Sequence, residues 1–263
     1  MKKKEERKYF DKEWKEMKTS LESYLKREQQ EDLHKFRVQV KKIRAFLILS
    51  DSAGHHPDLI KHFKPVRKIF KKAGEIRNAY MNQKLGKIHQ IASDEFMHNQ
   101  HQLQVTANEK FKLHHAEYLE DIKEAHKNIR EKIKPVSDVH INLFYQHQLQ
   151  QIADSLAQLK FNDQLHTNRK QVKILIYNHK IAHKVLNTGF NENYLEQVQT
   201  AIGDWHDHVL AMELFADDNV KNKAAFNNLK QPDKRLREHI SGLTADFYNQ
   251  ATTAVEVPVE QLS

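Results

Sequence analysis

Phe10, Trp14, Met17, Leu21 and Tyr24 recur at alternating spacings of four and three, so they share one face of a helix. That helix follows a polar start, MKKKEERK, expected to be mobile, and should end near Gln30. Leu33, Phe36, Val40, Ile43 and Leu47 carry the same spacing through a second helix to about Ser50. The run Ser52-Ala53-Gly54-His55-His56-Pro57 breaks the pattern and predicts a turn. Phe63, Val66, Phe70 and Ala73 mark a third helix, interrupted at Gly74 by a cap or a point of close approach. Helical spacing resumes from Ala79 to about Met97, and again through Phe111, Leu119 and Ile122 to Ile133; the polar stretch His98–Asn108 between them follows neither template.

The second half opens at Lys134-Pro135-Val136-Ser137-Asp138, where proline disfavours helix continuation and Ser or Asp can cap the next helix. A helix over Val139–Lys160 leads to another that starts with Asp163 as N-cap and stops at Asn187-Thr188-Gly189. The apolar segment Tyr194–Ile202 comes next, then one last helix over 222–250 and a flexible tail over 251–263. Only 6 Gly and 5 Pro occur in 263 residues, too few for a sheet with many tight turns, so the fold class is all-α.

Charge changes the picture of the first two long helices. At about 100° per residue, His34, Arg37, Lys41 and Arg44 fall in a strip about 80° wide, displaced about 100° from the apolar strip. Cations normally lie opposite the core. Here they lie beside it, where they would line a groove or the rim of a cavity. Lys64, Arg67 and Lys71 repeat the arrangement, each one residue after an apolar seam position. If the two helices pair as an antiparallel hairpin, both strips face a common space.

The net charge of +8 is concentrated accordingly: residues 1–80 hold 22 Lys+Arg against 12 Asp+Glu. Polyanions are therefore the expected partners, whether nucleic acid, polyphosphate or an acidic membrane surface. Cysteine is absent, which excludes disulfides and thiolate metal sites. No signal-peptide core and no long apolar window occur, so a cytoplasmic protein without membrane attachment is expected.

The motif Leu33-His34-x-x-Arg37-x-x-x-Lys41 returns as Leu165-His166-x-x-Arg169-x-x-x-Lys173, 132 positions later. Gly74-Glu75-Ile76-Arg77-Asn78 returns as Gly203-Asp204-Trp205-His206-Asp207, at an offset of 129. Two motif pairs in one order at nearly one offset argue for internal duplication, with repeats over about 10–134 and 135–250.

These four segments, from His34-x-x-Arg37-x-x-x-Lys41-Lys42-x-Arg44 to Gly203-x-x-His206-Asp207, resemble the CHAD family, a helical domain named for conserved histidines. The resemblance spans roughly residues 10–250. It implies two pseudo-symmetric helical bundles around a basic central cavity that binds inorganic polyphosphate, with association with polyphosphate granules. It adds Lys42, Arg77 and Lys170 to the site residues expected from the strips. The chain departs from the family after Lys173, where Ile174, Leu175, Ile176 and Tyr177 stand in place of further basic residues. Asn78 stands where the family usually has Asp, and Asn193, Glu196 and Thr200 replace the basic strip of the third helix in the second half. Ligand binding is thus expected mainly from the first half, closed by His166, Arg169 and Lys173.

Polyphosphate offers charge and no bases to read, so cations on rigid helices suffice. Arg37, Arg44, Arg67 and Arg169 are expected to give forked contacts, and Lys41, Lys64, Lys71 and Lys173 to act as point charges. Binding should weaken with salt and tighten at mildly acid pH, as His34 and His166 gain charge. Three alternatives stand beside this reading. His98/His101, His179/His183, Glu31/His34 and Glu95/His98 have metal-ligand spacing, although the cations around His34 are a poor setting for a dication, and no metal or cofactor is expected. No Glu-x-Glu-x-Lys motif or phosphate loop occurs, so no enzymatic turnover is expected. Nucleic-acid binding fits the charge, but the strips lack interleaved aromatics for base stacking.

Overall fold

The computed structural model describes residues 3–53, 58–215, 227, 229 and 231–253. Among them it has eleven helices and no β-strand. The helices are α1 (Lys3–Arg27), α2 (Gln30–Ser52), α3 (Leu59–His62), α4 (Lys64–His89), α5 (Asp94–Leu113), α6 (His115–Lys132), α7 (Asp138–Ala157), α8 (Asp163–Ala182), α9 (Glu192–Leu214), α10 (Pro232–Thr244) and α11 (Phe247–Thr252). No helix among the described residues is long and apolar enough to cross a membrane.

The chain forms two compact units. One comprises the described residues of Met1–Val136 and Asp207–Asp233, the other those of Ser137–His206 and Lys234–Ser263. In the first unit α1 packs on α2 and α6, and α4 also packs on α2 and α6, so these four helices close a ring around one core. The expected apolar faces fill it: Phe10, Met17, Leu21, Leu33, Phe36 and Ile43 are almost entirely excluded from solvent. Phe10 stacks on His126 of α6, with ring centroids 5.4 Å apart, and Trp14 meets Phe63 edge-on at 5.9 Å.

The start of the chain is less loose than its polarity suggests. α1 already begins at Lys3, and Glu6 is fully buried, accepting a hydrogen bond from Val136 N at 2.9 Å. This carboxylate ties the first turns of α1 to the end of the first of that unit's two segments. The turn between α1 and α2 passes through Glu28 in the left-handed region, at φ 56°. Of the expected turn over Ser52–Pro57, residues 54–57 lie outside the described residues.

Two breaks fall elsewhere than expected. Gly74 neither caps nor interrupts α4, which continues to His89. The chain turns instead at Gln90, in the left-handed region with φ 54°, and α5 starts after Ser93, whose hydroxyl accepts from Phe96 N at 3.1 Å. Ser93 followed by Asp94 and Glu95 is a helix start in sequence terms, a cap with acids in the first turn. Ile91 and Phe96 on either side are buried with Ala211, Phe215 and Leu229, which holds the turn to the core. α5 then runs straight through the polar stretch His98–Asn108.

In the second unit Ser137 caps α7, accepting from His140 N at 3.3 Å. Asn162, rather than Asp163, caps α8: its side chain accepts from Gln164 N at 2.9 Å, and Asp163 sits in the first turn. Buried Asn142 of α7 holds the loop after α8, donating to Val185 O and accepting from Asn187 N, both at 2.7 Å. The single last helix expected over 222–250 is divided into α10 and α11, with residues 222–226, 228 and 230 outside the described residues. Ala251 and Thr252 belong to α11, and buried Ala251 accepts from Asn191 N at 2.9 Å; the expected tail from residue 254 lies outside the described residues.

Burial pushes the Glu6 carboxyl up to about 7, against a weaker opposing effect of the Val136 N–H. A carboxyl raised in the folded state adds stability that is complete below its unfolded pKa of about 4.5 and lost as pH rises through about 7. Glu6→Gln keeps the acceptor for Val136 and cannot ionise. Its melting temperature should exceed that of the wild type at pH 8, by roughly 2–4 °C per kcal/mol relieved, and match it near pH 5. An equal difference at both pH values would contradict the assignment.

Candidate functional site

α2 and α4 lie side by side and antiparallel, which brings their basic strips onto one seam. His34 faces Arg77, Arg37 lies on Gly74, and Arg44 faces Arg67. The Arg37 guanidinium covers the Phe70 ring, 4.2 Å from its centroid, and Nη1 donates to Phe70 O at 2.8 Å. A Cβ placed at Gly74 would stand only 2.6 Å from that same Nη1. The glycine therefore opens the helix surface, and Arg37 reaches the carbonyl four residues earlier. That carbonyl has a second lone pair to offer beyond its helical bond.

The arrangement recurs between α8 and α9. Arg169 lies on Gly203, where a Cβ would stand 2.6 Å from Nη2, and Arg169 Nε donates to Gln199 O at 2.9 Å. Gln199 precedes Gly203 by the same four residues as Phe70 precedes Gly74. The rings of His166 and His206 stack with centroids 4.0 Å apart, at the position where His34 and Arg77 meet in the first unit. Further along, Lys173 donates to Gln199 Oε1 at 3.2 Å and lies 5.9 Å from the Tyr177 ring.

The electrostatics of both seams are strained in one direction. Burial lowers the pKa of Arg37, helped by Arg77, and lowers that of Arg44, helped by Arg67. His34 is lowered by partial burial and then by Arg77, Lys41 and Arg37, against the single favourable carboxylate of Glu31. His166 is pulled down to about 4 by burial, His206, Lys170 and Arg169, with Asp163 opposing. Both imidazoles are thus neutral at pH 7 in the free protein, and their protonation lies further to the acid side than the sequence alone suggests.

Other expected site residues take different places. Lys42 turns to α1 and pairs with buried Glu13 at 3.7 Å, on a different seam from the strip. Lys41, Lys64, Lys71 and Lys170 are exposed, whereas Lys173 is half-buried, its pKa lowered by burial and by Arg169. Glu196 stands on α9 where Arg67 stands on α4, and accepts from Gln199 Nε2 at 2.8 Å, so the second seam carries an acid in place of a cation. Of the metal-spaced pairs, His179 bonds Glu192 at 2.7 Å and His183 bonds Lys180 O at 3.0 Å. The residues missed by sequence reasoning are the contact partners Phe70, Gln199 and His206. The repeated spacing of arginine and glycine was the available signal for the first two.

A family model described as the CHAD domain matches residues 8–216. The fold is similar to the crystal structure of the CHAD domain from the plant Ricinus communis, with a TM-score of 0.62 and 15% sequence identity over 90% of this chain and 83% of that one. No curated protein matches.

The glycine contacts give a sign test. In an open helix interior Gly→Ala stabilises by about 0.5–1 kcal/mol, and Gly242 in α10, with nothing within 4 Å of its would-be Cβ, should follow that rule. Gly74→Ala and Gly203→Ala must displace a guanidinium from its bond to the Phe70 or Gln199 carbonyl, a loss that offsets the helix gain, so neither should stabilise as Gly242→Ala does in denaturant melts. Stabilisation at either position would contradict the seated arginines.

Proposed function

This chain belongs to the CHAD domain family, and from that premise we propose that it binds inorganic polyphosphate, or a similarly plain linear polyanion, without altering it chemically. The observation that carries the reading is the apposition of like charges along the α2/α4 seam, Arg77 against His34 and Arg37, and Arg67 against Arg44. Facing cations repel, more at half-buried Arg37 and Arg77 than at exposed Arg44 and Arg67, where solvent screens them, and a row of such pairs on rigid helices matches a chain of phosphates.

The roles divide more finely than the motif suggests. Arg37 and Arg169 spend a donor on a helix carbonyl and act as seated charges that fix the seam, while Lys42 serves the α1/α2 contact. Arg44, Arg67, Arg77, Lys41 and His34 meet the ligand in the first unit, with Lys64 and Lys71 beyond them. His166, His206 and Lys170 meet it in the second, which Glu196 makes the weaker half. The recurrence of arginine on glycine in both units supports the reading that they descend from one repeat. Cytoplasmic placement and association with polyphosphate granules belong to the same proposal.

Arg44→Ala/Arg67→Ala should weaken binding of long-chain polyphosphate and lower the slope of log affinity against log salt by about one per lost phosphate contact. Helical content should be unchanged. Polyphosphate should displace single-stranded RNA at fixed salt. RNA outlasting polyphosphate, or release of orthophosphate with magnesium, would overturn the reading.

Binding should also take up protons. A bound anion raises imidazoles that the free protein holds neutral, so affinity rises as pH falls from the ordinary histidine range toward about 4, the value of free His166. Calorimetry at pH 6 in two buffers of different ionisation enthalpy should show net uptake, reduced in His34→Gln/His166→Gln. Zero uptake in the wild type would remove the histidines from the mechanism.

A further inference from the structure

A second basic surface lies on the first unit, away from the α2/α4 seam. Lys4, Arg7, Lys8 and Asp11 follow one another at the spacing of a single helical stripe on α1, and with Arg130 of α6 they line an open cavity of about 600 Å³. Asp11, the acid of this lining, is held by its neighbours: His126 Nε2 lies 2.8 Å from Oδ1, and Arg130 Nε donates at 2.9 and 3.0 Å. Its charge is therefore met from within. Arg7 Nε is buried with no hydrogen-bond partner, and Lys4 and Lys8 are exposed beside it.

The ring of helices places this cavity. α1 and α4 each pack on both α2 and α6, so the seam between α1 and α6 lies across the bundle from the seam between α2 and α4. A single unit then carries cations on two opposite faces. The core between them is filled by Phe10, Trp14 and Phe63, so the two seams are separate surfaces.

We propose that the α1/α6 cavity is a second phosphate-binding face, which lets one molecule join two polyphosphate strands. The inference rests on the polyphosphate reading of the α2/α4 seam and adds to it. Lys4, Arg7 and Lys8 hold the second strand, and Arg130, fixed by Asp11, closes the far wall. Two faces convert simple binding into cross-linking, in which the many weak contacts along each strand reinforce one another.

The test compares binding with cross-linking in the full chain. Long-chain inorganic polyphosphate is titrated into the protein while light scattering is followed, and affinity is measured separately by anisotropy of end-labelled polyphosphate at limiting protein. The wild type should bind and should scatter, with scattering reversed by excess polyphosphate. Lys4→Gln/Arg7→Gln/Lys8→Gln should keep its anisotropy affinity within about threefold, yet need at least about tenfold more protein to scatter. A charge-matched control, Lys110→Gln/Lys123→Gln/Lys127→Gln on α5 and α6, should scatter like the wild type. Scattering by the α1 variant at the wild-type concentration, or an equal loss in the control, would overturn the second face. A wild type that binds without scattering would also overturn it. A wild type that fails to bind polyphosphate at all would instead overturn the proposed function, so the two failures are distinct.

Discussion

The contact on which the rest depends is a guanidinium lying on a glycine. In each unit an arginine one turn after the motif histidine reaches across to a neighbouring helix and bonds the carbonyl four residues before that glycine. The glycine costs helix stability where it stands. In return the two helices approach closely enough for a charged group to be held partly out of water, with its orientation fixed by a hydrogen bond and, in the first unit, by the Phe70 ring. Every other cation of the strip takes its place relative to that fixed charge.

A seam built this way stores repulsion. Partial burial removes solvent that would otherwise screen the charges, and the seated arginines add their field to histidines that would titrate near neutrality in isolation. The consequence is a surface whose free state holds like charges close together, a repulsion that a bound anion would relieve. Opposite tendencies act at Glu6, where a buried acid is pushed toward its neutral form at the end of the same bundle. Acid therefore strengthens one region as it charges the other.

Much of this was legible in the chain. The apolar period of α1 and α2 marks the core faces found, because a face that must be buried leaves a period in the sequence. The basic strip beside the α2 seam was legible for the same reason, since angular position follows from spacing alone. Gly74 was open between a cap and a close approach, and the structure decides for the approach. The break at Gln90 was missed because Gln90 and Ala92 carry no turn signal, and the left-handed residue is a glutamine where a glycine or asparagine is usual. Continuity of α5 through His98–Asn108 was missed because an exposed helix face keeps no apolar period. Lys42 was misplaced with its neighbours because one residue turns a helix by about 100°, enough to carry it to the α1 side and Glu13. The stacking of His166 on His206 was out of reach, since it depends on how α8 and α9 meet.

The most direct measurement is a crystal structure of the protein with polyphosphate bound. Phosphate oxygens should lie within about 2.7–3.2 Å of Arg77, His34 and Arg67, with Arg37 still bonded to Phe70 O and resting on Gly74. Phosphates bound elsewhere while the α2/α4 seam contacts none, or Arg37 swung off its glycine to reach them, would contradict the seated-arginine site.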